Sequence, residues 1–161
     1  MPSFDIVSKA DLQEVDNAVN QTVKEITGRY DFKGTKSEIK RQDNILTLLG
    51  DDDYKLTALI DILKGKLIKR GVSVKFLDFK KKEEASKGMM RQEVEIKEGV
   101  DKESSKKIIQ EIKKIAPKAG VENLKDHLRV NSKSKDELQI IISHLKAVQL
   151  EIELVYTNFR D

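Results

Sequence analysis

No cysteine occurs in the chain, so disulfides, thiolate nucleophiles and cysteine metal sites are all excluded. Histidine is almost as scarce: His127 falls at an expected hairpin turn and His144 on an expected helix beside Ser143. A nucleophile needs a base within hydrogen-bond reach and a third group to orient that base, and neither histidine has such company. Neither a G-x-x-x-x-G-K-[ST] run nor a G-x-G-x-x-G turn is present, so nothing points to a nucleotide hydrolase or a dinucleotide enzyme. No enzyme activity and no cofactor are expected. The chain also lacks an apolar run long enough to cross a membrane. Met1 to Asp5 has neither the basic start nor the apolar core of a signal peptide, and the cytoplasm is the expected location. A large excess of one charge is missing too. With 31 basic and 28 acidic residues the net charge is +3, so any anion binding must come from local clustering.

What is present is a regular amphipathic pattern, with 37% charged and 38% hydrophobic residues, which describes a soluble globular protein. The pattern occurs twice. Leu46 and Leu48 reappear 82 positions downstream as Leu128 and Val130, and Leu56, Leu59, Ile60 and Leu63 as Leu138, Ile141, Ile142 and Leu145. Between the copies lies a charged stretch, Lys80 to Gly88, nearly devoid of apolar residues. A repeat with a joint is therefore expected: units 1–80 and 89–161, with 81–88 as linker. Units of about 80 residues bury only modest cores, so the two should lean on each other.

Within the first copy, Ser3 to Ser8 alternates as a strand. Asp11 caps a helix whose apolar residues run from Leu12 to Ile26, and Gly28 ends it. Ser37 to Gln42 and Ile45 to Leu49 flank Asp43-Asn44, a hairpin signature. Asp51, Asp52 and Asp53 open a second helix, which Gly71 closes, and Val72, Val74 and Phe76 alternate as a fourth strand. The second copy repeats the order. It has a strand 92–98, a helix capped by Asp101, a hairpin of 121–125 with 127–131, a helix capped by Ser134, and a strand 151–158. The order β-α-β-β-α-β in each half predicts α+β architecture: two ferredoxin-like domains from an internal duplication, each with helices on one sheet face.

Three groups of residues could carry chemistry. Asp51 to Asp53 could hold a hard cation. However, acidic residues suit a first helical turn, and the equivalent Lys133-Ser134-Lys135 inverts the charge, so no metal site is expected. Lys133 and Lys135 sit at an expected helix N-terminus, where free backbone N–H groups and hydroxyls of Ser132 and Ser134 could receive a phosphate; a plain cap with solvated lysines is the alternative. Arg29-Tyr30-Asp31-Phe32-Lys33-Gly34 and Tyr156 to Asp161 interleave cations with aromatics, as base-stacking sites do. Equally, Phe32 and Phe159 could be structural plugs, with Arg29 or Arg160 paired to Asp31 or Asp161. The aliphatic strand residues Val94, Ile96, Leu128 and Val130 argue against the aromatic RNA-binding mode of RRM sheets.

Pro2 to Ser8, Arg29 to Lys33, Lys66 to Gly71 and the closing Asn158-Phe159-Arg160-Asp161 together resemble the YajQ family of bacterial nucleotide-binding proteins, along the whole chain. The family's Gly-Lys-Ser-Arg-Asp-Asp-Leu-Gln run reads here as Ser132 to Gln139, with Lys135 in place of its Arg. The resemblance implies exchanged N-terminal strands, with 3–8 completing the second sheet and 92–98 the first. It also implies non-catalytic binding of cyclic-di-GMP, GTP or RNA such as tRNA. Residues and resemblance together nominate Arg29, Phe32, Lys33, Lys133, Lys135 and Arg160 as anion and base contacts. The alternative is an adaptor that binds a protein partner through its open sheet faces.

Overall fold

A computed structural model describes residues 1–161. It is an α+β structure with four long helices and two antiparallel sheets, and no helix is long and apolar enough to cross a membrane. The chain divides into an internal unit, Ala10–Lys97, and a terminal unit, Met1–Lys9 with Glu98–Asp161. The polypeptide passes from one to the other at Lys9–Ala10 and at Lys97–Glu98.

The internal unit begins with helix α1 (Leu12–Gly28), whose Asp11 carboxylate accepts from the Gln13 and Glu14 amides. Two of the four amides left unpaired at a helix start are thereby satisfied. A 3₁₀ turn over Tyr30–Phe32 leads to β2 (Glu38–Gln42) and β3 (Ile45–Gly50), paired from Glu38↔Leu49 to Gln42↔Ile45. Helix α2 (Asp53–Lys69) follows. A Cβ on Gly50 would lie 2.6–2.9 Å from the backbone and Cβ of Leu56, so only glycine permits this close passage of strand and helix. Each of the three aspartates here has a structural task. Asp51 accepts from the Lys36 amide at 2.8 Å, Asp52 caps α2 through the Lys55 amide at 2.7 Å, and Asp53 pairs with Lys82 at 2.7 Å. Gly71, at φ +79°, ends α2 in a Schellman arrangement, with the Val72 amide donating to Leu67 and the Gly71 amide to Ile68.

The strand expected from Val72, Val74 and Phe76 is instead a 3₁₀ turn over Val74–Phe76, followed by β4 (Leu77–Phe79). The Ser73 hydroxyl accepts from the Lys75 amide and tightens the turn, and pairing begins only where Leu77 meets Ile96. The charged stretch 80–88 lies inside this unit. Glu83–Glu84 form the short strand β5 against Arg91 and Met90 of β6 (Met90–Ile96), and a turn through Lys87 (φ +60°) and Gly88 (φ +75°) closes the hairpin. The main sheet runs β2-β3-β6-β4. Its core joins Val15, Ala18 and Val19 of α1 to Leu56, Leu59 and Leu63 of α2 over Leu46, Leu48, Val94 and Ile96.

The terminal unit contains β1 (Ser3–Val7), α3 (Lys102–Ile115), β7 (Gly120–Asn123), β8 (Leu128–Asn131), α4 (Lys135–Ala147) and β9 (Val155–Arg160). Its sheet order is β7-β8-β1-β9, so β1 lies between β8 and β9. Phe4 and Ile6 pack with Ile108, Ile112, Leu128, Val130, Ile141 and Leu145. The last strand starts later than expected, because Leu150 and Ile152 are buried without strand pairing before β9 begins at Val155. Residues 82 positions apart are buried alike: Leu46, Leu48, Leu128 and Val130 all have no exposed surface.

Candidate functional site

The six candidate residues fall into two groups. Arg29, Phe32 and Lys33 belong to the internal unit, and Lys133, Lys135 and Arg160 to the terminal unit.

In the internal unit the connector after α1 turns so that Phe32 enters the core, 4% exposed. A ring so buried has no free face for a base. It serves instead as a platform for cations: Arg29 Cζ lies 5.6 Å and Lys55 Nζ 5.2 Å from its centroid. Arg29 is further held by Asp31, its Nε and Nη2 donating to the two carboxylate oxygens at 2.9 and 2.8 Å. That fork raises the Arg29 pKa and holds the Asp31 carboxyl below its usual range. Lys55 donates to the Asp31 carbonyl. Lys33 is exposed and forms no ion pair. Around this group stand Tyr30, 91% exposed, and Tyr54, 74% exposed, with Lys55 Nζ 5.7 Å from the Tyr54 ring. Tyr54 and Lys55 were not among the sequence candidates. Their only signal was a Tyr-Lys pair in the first turn of α2, where the aspartates drew attention to capping.

In the terminal unit both serines take part in the cap of α4, and of the two only Ser132 spends its hydroxyl hydrogen there. The Ser134 hydroxyl accepts from the Glu137 amide at 3.3 Å, and the Ser132 hydroxyl donates to Glu137 Oε1 at 2.6 Å. Lys133 is exposed, and Lys135 pairs with Asp161. Arg160 reaches β1, with Nη1 donating to the Ser3 hydroxyl at 3.3 Å and Nη2 standing 3.6 Å from Asp5. Asp5 is the partner the sequence reading missed. Arg129 Nε donates to it at 2.9 Å and the Asn158 amide at 2.7 Å. Burial pushes the Asp5 carboxyl up, but the hydrogen bonds from Arg129 and Asn158 and the fields of Arg129 and Arg160 outweigh it and hold the carboxyl below its usual range. Each histidine is paired with a carboxylate: His127 Nδ1 lies 2.7 Å from Asp126 and His144 Nε2 2.8 Å from Glu111.

Residues 2–160 match the sequence model of the family described as nucleotide-binding protein, YajQ-like. A nucleotide-binding protein from Geotalea uraniireducens (strain Rf4) is 54% identical over 160 residues, 99% of each chain. One from Trichlorobacter lovleyi and one from Magnetococcus marinus are each 52% identical over 161 residues, covering both chains completely. With a family match along nearly the whole chain and relatives this similar over their full lengths, the protein belongs to the YajQ-like family of nucleotide-binding proteins.

Proposed function

We propose that the protein binds a nucleotide without catalysis, in the cytoplasm, with cyclic-di-GMP, GTP and RNA as the ligand classes to be separated. The observation that carries this reading is the gathering of Arg29 and Lys55 on the Phe32 ring, with Lys55 also 5.7 Å from the exposed Tyr54 ring and with exposed Tyr30 and Lys33 in the same connector. Exposed rings stack bases, worth about 1–3 kcal/mol per base, while neighbouring cations neutralise phosphate. Phe32 acts from below, as the platform that holds Arg29 and Lys55. Lys133, Lys135 and Arg160 supply phosphate contacts in the terminal unit. The names of the relatives support the same ligand class.

In this reading the two units arose by duplication of one ferredoxin-like β-α-β-β-α-β element, the repeats being 1–80 and 89–161 with their first strands exchanged. The 82-residue offset and the strand orders β7-β8-β1-β9 and β2-β3-β6-β4 support it.

Isothermal titration with cyclic-di-GMP, GTP and a short RNA, at low and moderate salt, tests the function. Saturable binding of one ligand is expected, weakened about tenfold or more by Tyr54→Ala and by Arg29→Ala combined with Lys33→Ala. A loss of affinity of about one stacked base corresponds to that change. RNA binding would also fall steeply with salt as counterions are released. Flat titrations with all three would refute the reading and direct the search to a protein partner on the open sheet faces.

A further inference from the structure

The face of the terminal sheet opposite its helices carries an organised charge cluster. Strand alternation sends Phe4 and Ile6 of β1 into the core and Ser3, Asp5 and Val7 to the other side. Asp5 sits mid-strand, its side chain 7% exposed, and both its oxygens are occupied by Arg129 and Asn158. Arg160 Nη2 at 3.6 Å and His127 Nε2 at 3.9 Å complete its surroundings.

Neutralising one buried carboxylate requires one guanidinium, yet two converge here. Each retains donors: Arg129 directs Nε to Asp5 and Arg160 directs Nη1 to Ser3, out of five N–H donors apiece. Both side chains are about a third exposed, at 32% and 39%. Glu122, whose field acts on Arg129 from β7, limits the positive potential, so recognition here would rest on directed hydrogen bonds rather than on charge alone.

The backbone is shaped to the cluster. The β1–β9 register shifts between Ser3 and Asp5, and Asn158 in that bulge adopts φ +57°. Asparagine tolerates this left-handed geometry better than most residues. The bulge turns the Asn158 amide onto Asp5 and lays the Phe159 ring against Phe4, with centroids 5.8 Å apart. Strain retained beside a buried charge is a reason to look for function. Beyond Val7 the same edge opens into a cavity of about 260 Å³ lined by Ser8, Lys9, Glu98, Asp126 and His127 among others. From Ser3 to Val7 the row spans about 13 Å at about 3.3 Å per residue.

We propose that this face is a phosphate-ester site for a free nucleotide. Arg129 and Arg160 grip the phosphate groups, Asp5 is the positioning residue that aims both guanidiniums, and the cavity beside His127 receives the base. The proposal rests on the nucleotide-binding reading above, shares Arg160 with it, and adds Arg129, Asp5 and the cavity beside His127. The single half-open cavity at one end of the row gives one base a place beside the two guanidiniums, which is what a free nucleotide needs.

The test is nuclear magnetic resonance of the full chain, following backbone amide and arginine Nε–H signals during titration with GTP, cyclic-di-GMP and a short RNA. It is repeated for Arg129→Lys and Arg160→Lys, which keep the charge and remove the fork. The expected result is shifted Arg129 and Arg160 signals with a nucleotide, and affinity reduced about tenfold or more in each variant. Nucleotide binding that leaves both arginine signals and both variant affinities unchanged overturns this site while preserving the broader function. Binding of neither nucleotide to the wild type overturns both. Arginine shifts with RNA alone overturn the choice of a free nucleotide. Should a lysine variant fail to fold, displacement of the wild-type arginine shifts by excess pyrophosphate supports the site, and persistence of those shifts overturns it.

Discussion

Replacing Arg129 by alanine should expose how much the terminal unit depends on a single buried carboxylate. The variant removes the 2.9 Å Nε donor but leaves Asp5 its Asn158 bond and Arg160 at 3.6 Å. The loss is therefore one charge-assisted hydrogen bond, worth about 1.5–3 kcal/mol, rather than the about 3–5 kcal/mol of a buried charge left with no partner. With the Asp5 side chain 7% exposed, water can do little to compensate, and the upper part of the smaller range, about 2.5 kcal/mol, is expected. In urea, with a slope of about 2 kcal/mol per molar, the unfolding midpoint should fall by about 1 M. The pH dependence carries a definite sign. In the wild type the Asp5 carboxyl lies below its ordinary 3.8, so its ionisation adds stability above that pH, lost as the pH falls through the depressed value. In the variant burial remains while the strongest opposing contacts are gone, so the carboxyl moves upward. The deficit should be largest at neutral pH and narrow on acidification toward and below 3.8. A double-mutant cycle with Asp5→Asn should return a coupling of about 1.5 kcal/mol or more. A midpoint that does not move, or a deficit indifferent to pH, would refute this account of Asp5.

Two further outcomes follow from the geometry. Gly50→Ala places a methyl group 2.6 Å from the Leu56 amide nitrogen, a backbone atom that cannot rotate away, and should cost about 3 kcal/mol in urea melts. A loss within about 0.5 kcal/mol, the usual surface range, would mean that β3 and α2 separate freely. Tyr156, whose phenol is pushed up to about 12 by burial and then by the field of Glu153, should remain un-ionised when exposed phenols have lost their protons. Comparison of ultraviolet tyrosinate titrations for the wild type and Tyr156→Phe would reveal it. A high-pH step missing from the substituted protein is expected, and identical curves would contradict the burial. Because the folded value is raised, stability should decline as the pH rises above about 10, where the unfolded phenol ionises.

Local features were readable because they depend on neighbours in the chain. Asp11, Asp52, Asp101 and Ser134 each cap the helix that follows them, since a cap is a contact between residues two or three apart. The periodic stripes of α1 to α4 were readable for the same reason. The segment 72–76 was not, because its alternation matched a strand while the pairing partner on β6 begins only at Leu77. Nor was 80–88, whose polar composition suggested a linker but whose backbone pairs with β6. Phe32 illustrates the limit for site residues: sequence supplied an aromatic among cations, and only packing decided that the ring faces inward and the cations gather on it.

By itself the sequence determined the class of fold, the caps, the apolar spacing that recurs 82 residues on and the family, all of which depend on local pattern or on overall likeness. Tertiary structure alone decided that Asp5 meets Arg129 and Asn158 across sequence separations of 124 and 153 residues. It also decided which cations keep free donors and which rings keep free faces. A charged side chain is compatible with solvent or with many partners, and only the register of strands and the burial around them select one.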